Sequence, residues 1–207
     1  VAGDFYDIFR LDEGNVGFYV ADVAGHGMAA ALLTIFVKKS LQTKRIHAGG
    51  YELVMPDEAF KLLNADLISA NLEAASYITL IYGIYNLVEC RLTYARAGHP
   101  RPLLIHSAGG LEHLDADGPL LGVFAEADFE LRHVNLAAGD RVLFYTDGVE
   151  NCRVDDLAEI AAFEEVVSRC AHLPLDEALS DILAAIQQSA PQEGLEDDIT
   201  LVALAAE

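Results

Sequence analysis

Apolar and polar residues are distributed along the chain in a way that predicts several β-strands. Runs rich in β-branched and aromatic residues, bounded by turn residues, favour pleated and largely buried segments. On this basis we predict strands at residues 15–21, 77–85, 91–95, 103–106, 129–135, 141–146 and 199–205. A short connection joins the runs at 77–85 and 91–95, which predicts an antiparallel hairpin.

Helical periodicity appears in four further segments, at residues 28–41, from 56 onwards, at 158–170 and at 175–189. Pro56, followed by two acidic residues, is typical of a helix start. The apolar spacing predicts the buried faces of the first three helices, in chain order: Met28, Ala31, Leu32, Ile35 and Phe36; Phe60, Leu63 and Leu67; Ile160, Phe163, Val166 and Val167. Residues 42–55, which include Gly49 and Gly50, are predicted to form a loop.

The predicted order is a strand, two helices, several strands, two helices and a strand. Runs of strands separated by paired helices favour an α+β layered domain over a doubly wound parallel sheet. Because no repeat or linker divides the sequence, we predict a single domain over residues 1–207. The abrupt start at Val1 predicts that this domain is a piece of a longer polypeptide.

Composition narrows the classes of partner and compartment. Apolar residues make up 53% of the chain. It contains 13 Lys and Arg and 33 Asp and Glu, which gives a formal net charge of -20. Such a surface repels polyanions, so we expect no nucleic-acid partner, and a phosphate substrate would need a local positive centre such as bound cations.

No apolar run reaches the roughly 18 residues of a membrane span. The three cysteines lack a C-x-x-C spacing. Together these features predict a cytoplasmic protein in a reducing compartment.

Acidic residues stand at the ends of predicted core strands. Asp22 and Asp147 each follow a strand, and Asp197 and Asp198 precede the last one. If that strand is antiparallel to the other two, these carboxylates gather at one edge, where cations must offset their repulsion. Oxygen-only ligands favour Mg²⁺ or Mn²⁺, and two such ions can activate water and bind phosphoryl oxygens.

Each fragment also has a simpler interpretation. Asp147-Gly148 is typical of a turn, Asp197-Asp198 of a solvated cap, and Asp22 of a helix cap. We favour structural roles for His26 and His99, which sit between glycine or proline neighbours. The sequence contains no G-x-S-x-G elbow and no P-loop.

Six fragments in order carry a family resemblance: GDFYD (3–7), DVAGHGMAAAL (22–32), YARAGHPRPLL (94–104), GPLLGV (118–123), GDRVLFYTDGVEN (139–151) and DDITLVAL (197–204). They resemble the signatures of the SpoIIE and RsbU-type branch of the PPM/PP2C protein phosphatases, over nearly the whole chain. The resemblance implies a four-layer α-β-β-α sandwich with two central antiparallel sheets.

The resemblance also implies a centre of two Mn²⁺ or Mg²⁺ ions and attack of metal-activated water on phosphoserine or phosphothreonine. Carried over by motif, the implied metal ligands are Asp22 as the bridging carboxylate, the backbone carbonyl of Val23, Asp147, Asp197, Asp4 directly or through water, and Asp198 as a neighbouring carboxylate. Substrates in this branch are often phosphorylated anti-sigma-factor antagonists. The phosphatase commonly follows a sensor or receiver module.

Some features depart from the family pattern. Ala2 stands where this branch usually has glycine, and Arg96 and Arg101 are the candidates for the phosphate-binding arginine of the eukaryotic relatives. The departure at the N-terminus motivates an alternative, a regulatory module that keeps the fold and binds a partner without hydrolysis. A metal-dependent phosphodiesterase is a third interpretation, although the His-rich ligand sets of many such enzymes are missing.

Overall fold

The computed structural model describes residues 3–25, 27–70, 77–151, 159–189 and 198–207. In these parts of the chain the strands are β1 Phe5–Arg10, β2 Asn15–Val23, β3 Lys44–His47, β4 Gly50–Leu53, β5 Ile78–Asn86, β6 Arg91–Ala97, β7 Leu103–Ile105, β8 Leu111–His113, β9 Arg132–Asn135, β10 Arg141–Tyr145 and β11 Leu201–Ala205. The helices are α1 Met28–Ser40, α2 Pro56–Ser69, a 3₁₀-helix Asp147–Asn151, α3 Glu159–Cys170 and α4 Leu175–Ser189. The predicted α+β class is confirmed.

The chain divides into two compact units. Unit 1 comprises Val1–His99 and Asp115–Leu136, and unit 2 comprises Pro100–Leu114 and Ala137–Glu207. The prediction of one domain over residues 1–207 stays a prediction.

Unit 1 contains an antiparallel sheet with the strand order β1-β2-β5-β6-β9. The predicted β5–β6 hairpin is confirmed. Helix α2 begins at Pro56, whose ring pre-sets the backbone for the first turn, and Phe60, Leu63 and Leu67 are buried as predicted. They share a core with residues of α1, β2 and β5.

Unit 2 contains a second antiparallel sheet with the strand order β11-β10-β7-β8. The core of this unit joins Leu143 and Tyr145 of the sheet to residues of α3 and α4, including Phe163 and Ile182. Helix α4 has the predicted bounds. Ile160 of α3 was predicted to face inward, but 39% of its surface is exposed. That prediction was wrong because Ile160 lies in the first turn of α3, at the end of the helix, and is not part of the core that contains Phe163 and Val167.

The predicted loop at 42–55 was wrong, because this segment contains a two-stranded hairpin of β3 and β4. Its strands are almost entirely exposed, so they lack the hydrophobic alternation that marks a half-buried strand. The hairpin is supported instead by Arg45, which pairs with Glu52 across the strands and with Glu58 of α2. Strands β1 and β8 were also missed, and several predicted strand ends differ from the structure by one to three residues.

Most of the predicted buried face of α1 was wrong as well, although Phe36 is partly buried against the core. The buried residues are Ala30, Leu33 and Val37, whereas Met28, Leu32 and Ile35 are 81%, 62% and 58% exposed. The reason is that the first ten residues of this helix are apolar except for Thr34, so apolar spacing does not distinguish its two sides. Among the described helices, none has the length and apolar character needed to cross a membrane.

Candidate functional site

Strand β2 extends to Val23 and places Asp22 near the end of the unit 1 sheet. Asp22 lies opposite Thr79, and Val23 lies opposite Ile78. Beyond the strand, the Ala24 N–H donates to the Tyr77 carbonyl over 3.0 Å. The strand was predicted to end before Asp22, but this backbone pairing carries it two residues further. Asp22 is therefore fixed by a regular strand.

The segment containing Asp4 approaches Asp22 through Gly3. The Val23 N–H donates to the Gly3 carbonyl over 3.3 Å. A Cβ atom at position 3 would lie 2.7 Å from Asp22 Oδ1 and 2.8 Å from the Val23 carbonyl oxygen. Only glycine allows this close approach. The structure thus brings the Asp4 segment against two of the predicted metal ligands.

The oxygen atoms at this position fit a hard divalent cation. One Asp22 carboxylate oxygen and the Val23 carbonyl oxygen lie 2.7 and 2.8 Å from the position that a Cβ atom at residue 3 would occupy. Carboxylate and carbonyl oxygens without sulfur or imidazole are the donors that Mg²⁺ and Mn²⁺ prefer. The donor set of this group agrees with the predicted ions.

After Val23 the chain turns into α1 through glycines with positive φ, 103° at Gly25 and 82° at Gly27. These angles favour glycine strongly, and Gly27 is the residue that precedes the helix. Gly27 has no side chain with which to cap the helix, and the alternative role of Asp22 as a cap of α1 stays an alternative. His26 lies outside the described residues.

A second group of predicted ligands lies at one end of the unit 2 sheet. Strands β10 and β11 are antiparallel, with Tyr145 opposite Leu201. Asp147 follows the first strand and Asp198 precedes the second, so both lie at this end. The Thr146 N–H donates to the Thr200 carbonyl over 3.2 Å, and the Thr200 N–H donates to Thr146 Oγ1 over 3.0 Å. Gly148 packs against the Asp198 carbonyl so closely that no side chain would fit.

Asp147 is exposed and begins the 3₁₀-helix, so the Asp147-Gly148 pair is more than a simple turn. Asp198 is also exposed. Asp197 lies outside the described residues. Within the described ranges, no three His, Cys, Asp or Glu side chains form a group that could hold a metal. The Asp22 and Asp147 groups belong to different units. The metal-ligand assignments stay predictions.

Hydrogen bonds hold the residues around His99 in place. His99 is 1% exposed, and its Nδ1 lies 3.0 Å from the hydroxyl of Thr79, the residue opposite Asp22. The Arg96 guanidinium donates to the His99 carbonyl over 2.7 Å and to Asp115 over 3.2 Å. Arg96 is therefore held by this loop, which does not favour it as a phosphate-binding residue. Arg101 is exposed.

Sequence reasoning missed Asn64, which organises the loop after Gly118. Asn64 is 2% exposed. Its amide nitrogen donates to the Phe124 carbonyl over 2.8 Å, and its Oδ1 accepts from the Gly122 N–H over 2.8 Å. The available signal was a polar residue next to Leu63 on the apolar face of α2, because a buried amide requires partners.

Comparison with known proteins identifies the class first by its fold. The PP2C domain of SiaA from Pseudomonas aeruginosa superimposes with a TM-score of 0.83 at 20% identity, over 100% of this chain and 81% of that one. The chain therefore has a PP2C fold, as predicted.

The family model for stage II sporulation protein E (SpoIIE) matches residues 12–207, and the chain belongs to this family. Two relatives from Bacillus subtilis are named phosphoserine phosphatases. RsbP is 29% identical over 199 residues, which cover 96% of this chain and 47% of RsbP. RsbU is 28% identical over 209 residues, which cover 99% of this chain and 59% of RsbU. The chain thus spans about half the length of the curated relatives it matches.

Proposed function

We propose that this chain is a metal-dependent phosphatase domain that removes phosphate from serine or threonine on a regulatory partner protein. Family membership supports this, as do the names of RsbP and RsbU, which are phosphoserine phosphatases. The observation that carries the proposal is the close approach of Gly3, which has no side chain, to a carboxylate oxygen of Asp22 and to the carbonyl oxygen of Val23 at the end of β2.

The residues that would hold two Mn²⁺ or Mg²⁺ ions are Asp22, the carbonyl of Val23, Asp4 directly or through water, Asp147 and Asp197, with Asp198 as a neighbour. When bound, such ions supply a water of lowered pKa and offset negative charge on phosphoryl oxygens. Bound cations are needed here because the chain has a net charge of -20, and carboxylates without cations would repel a phosphate group.

Other residues of the chain hold the proposed metal ligands in place. The pairing of Asp22 with Thr79 fixes the carboxylate on a core strand, and the two hydrogen bonds between Thr146 and Thr200 fix the strand ends next to Asp147. Groups held by sheet backbones cost little reorganisation when a substrate arrives. The side chains named here bind and orient, and none has to act as a nucleophile.

We further propose that the substrate is a phosphorylated regulatory protein, such as an anti-sigma-factor antagonist. We also propose that the domain follows a sensor or receiver module in a longer chain.

The test is phosphate release by the purified chain from p-nitrophenyl phosphate and from a phosphoserine peptide, with and without Mn²⁺. Asp22→Asn and Asp147→Asn should each lower turnover at least about 100-fold, because each removes a charged ligand. Asp128→Asn is the matched control, since its side chain is 97% exposed and pairs only with Lys61 among the described residues.

Calorimetric titration with Mn²⁺ provides a readout that does not depend on turnover. Equal turnover and equal Mn²⁺ affinity in the wild type and the two site variants would disprove the assignment. Partner binding without metal uptake or turnover would support the regulatory module instead. Faster cleavage of bis-p-nitrophenyl phosphate than of the monoester would identify a phosphodiesterase.

A further inference from the structure

Helix α1 has an exposed apolar stripe along one side. Met28, Leu32 and Ile35 are 81%, 62% and 58% exposed, and the exposed Lys39 continues the same line. Successive residues of a helix are about 100° apart around its axis, so these four residues lie within about 60° of one another. They are named the α1 stripe.

The opposite side of α1 holds the helix in the fold. Its buried residues are Ala30, Leu33 and Val37, and all three belong to the core of unit 1. The apolar residues of the α1 stripe add nothing to that core and keep their surface in water, which is unfavourable. A contiguous exposed apolar patch of this kind is typical of an interaction site.

The spacing of the α1 stripe fits another helix. Its steps along the sequence are four, three and four residues, as in the seam between two packed helices. Residues at this spacing form the holes that receive apolar side chains from a neighbouring helix. The geometry therefore favours a helical occupant with an apolar stripe of its own.

Charge narrows the kind of helix that can bind. Residues 23–51 contain no Asp or Glu, although the whole chain contains 33. Lys38 pairs with Asp7 over 2.9 Å, whereas Lys39 forms no ion pair within the described parts of the chain. A carboxylate on the bound helix would complement Lys39, and a cation there would be repelled.

The same charges disfavour pairing of α1 with α1 of a second copy. In a parallel pair the two lysines at position 39 would face each other. In an antiparallel pair each Lys39 would face the start of the other helix, which is the positive end of the helix dipole and has no acidic residue in its first turn.

We propose that the α1 stripe is a docking face for an amphipathic helix of another protein, one that presents an apolar stripe and a carboxylate opposite Lys39. This inference goes beyond the proposed phosphatase function and does not depend on it. Met28, Leu32 and Ile35 supply the apolar contact, and Lys39 selects an acidic partner.

The probe is a fluorescently labelled synthetic peptide of about two heptads, with leucine at the seam positions, alanine and glutamine between them, and glutamate at both ends. A side-chain cross-link on its outer face keeps so short a peptide helical. With glutamate at both ends, one carboxylate lies beside Lys39 in either orientation. A second peptide has lysine in place of each glutamate.

Fluorescence anisotropy at about 0.15 M salt, where long-range attraction is screened, measures binding of both peptides. The wild type should bind the glutamate peptide at least about tenfold more tightly than the lysine peptide. Leu32→Ser should weaken binding of the glutamate peptide at least about tenfold, because it removes the centre of the apolar contact. Lys39→Glu should reverse the preference between the two peptides.

The matched controls lie at the connection between β5 and β6. Val88 is 84% exposed, so Val88→Ser makes an exposed apolar residue polar elsewhere in unit 1. Arg91→Glu changes the net charge as Lys39→Glu does, on an exposed residue that pairs with Glu89. Both controls should bind the two peptides as the wild type does, and circular dichroism checks that every variant is folded.

The competing occupant is a second copy of the chain, and sedimentation velocity tests it. A wild-type dimer that Leu32→Ser converts to a monomer would assign the α1 stripe to self-association and overturn the proposal. Unchanged peptide binding in Leu32→Ser, no reversal in Lys39→Glu, or no binding of the glutamate peptide to the wild type would overturn it as well.

Discussion

Gly3 lies directly against the carboxylate of Asp22, since a Cβ atom at position 3 would be 2.7 Å from Oδ1. Gly3→Ala should therefore displace either Asp22 or the Asp4 segment. Because groups that orient metal ligands typically change metal affinity by about 10- to 100-fold, we expect Mn²⁺ binding to weaken by that factor in calorimetric titrations.

Gly14→Ala is a suitable control for this prediction. The nearest atom to a Cβ at position 14 is Asp12 Oδ1 at 3.8 Å, an ordinary contact. Gly14→Ala should bind Mn²⁺ as the wild type does. Unchanged Mn²⁺ affinity in Gly3→Ala would show that the Gly3 contact does not support a metal site.

Leu32 and Leu33 are neighbours in α1 with opposite environments, 62% and 5% exposed. Leu33→Ala removes core contacts and should lower the free energy of unfolding by about 2–4 kcal/mol. Leu32→Ala should change it by less than about 0.5 kcal/mol. Urea unfolding of both variants measures the difference, and the reverse order would mean that the helix faces the core with its other side.

The α1 result shows which parts of the fold the sequence could predict. Helix α2 has polar residues between its apolar ones, so the burial of Phe60, Leu63 and Leu67 followed from their spacing. Helix α1 is apolar on both sides, and its orientation depends on tertiary contacts that no local pattern contains. The β3–β4 hairpin was missed for a related reason, since its strands bury almost nothing.

Only part of the candidate site could be predicted in the same way. The antiparallel pairing of β10 and β11 confirms the reasoning that Asp147 and Asp198 lie at the same end of a sheet. The approach of Gly3 to Asp22 depends on the pairing of β1 with β2, and strand β1 was not predicted. The role of Asn64 depends on a partner loop 60 residues away in the sequence.

Tyr82 and Tyr94 differ in the environment of their hydroxyl groups. The Tyr82 hydroxyl is buried and has no hydrogen-bond partner among the described residues, whereas the Tyr94 hydroxyl donates to the Asp115 carbonyl over 2.9 Å. Tyr82→Phe removes an unsatisfied polar group and should keep or raise stability by up to about 1 kcal/mol. Tyr94→Phe should lower it by about 1 kcal/mol.

Chemical unfolding of the two tyrosine variants in parallel checks this prediction. Each variant loses the same single oxygen atom, so each serves as the control for the other. A loss of stability in Tyr82→Phe equal to that in Tyr94→Phe would show that the Tyr82 hydroxyl has a partner.

Asp140 is a buried carboxylate that should make unit 2 sensitive to acid. It accepts hydrogen bonds from the N–H groups of Ser107 and Ala137, over 2.8 and 2.9 Å. The Ser107 hydrogen bond is the main cause that holds the pKa of Asp140 below its ordinary value of 3.8. His106 Nδ1 lies 3.9 Å from Asp140 Oδ2, and a protonated His106 attracts the Asp140 carboxylate.

Because the pKa of Asp140 is lower in the folded state, acid protonates this group in the unfolded chain first. The stabilisation is complete above about pH 4, near the unfolded value, and is lost as the pH falls through the folded value.

Asn at this position keeps one acceptor and places an N–H₂ group against backbone donors. Asp140→Asn should therefore lower the free energy of unfolding by about 1.5–3 kcal/mol at pH 7. The difference from the wild type should shrink below pH 4. Urea unfolding from pH 7 to pH 3 measures this, with the exposed Asp128→Asn as the control, and a difference that does not depend on pH would contradict the assigned role of the Asp140 charge.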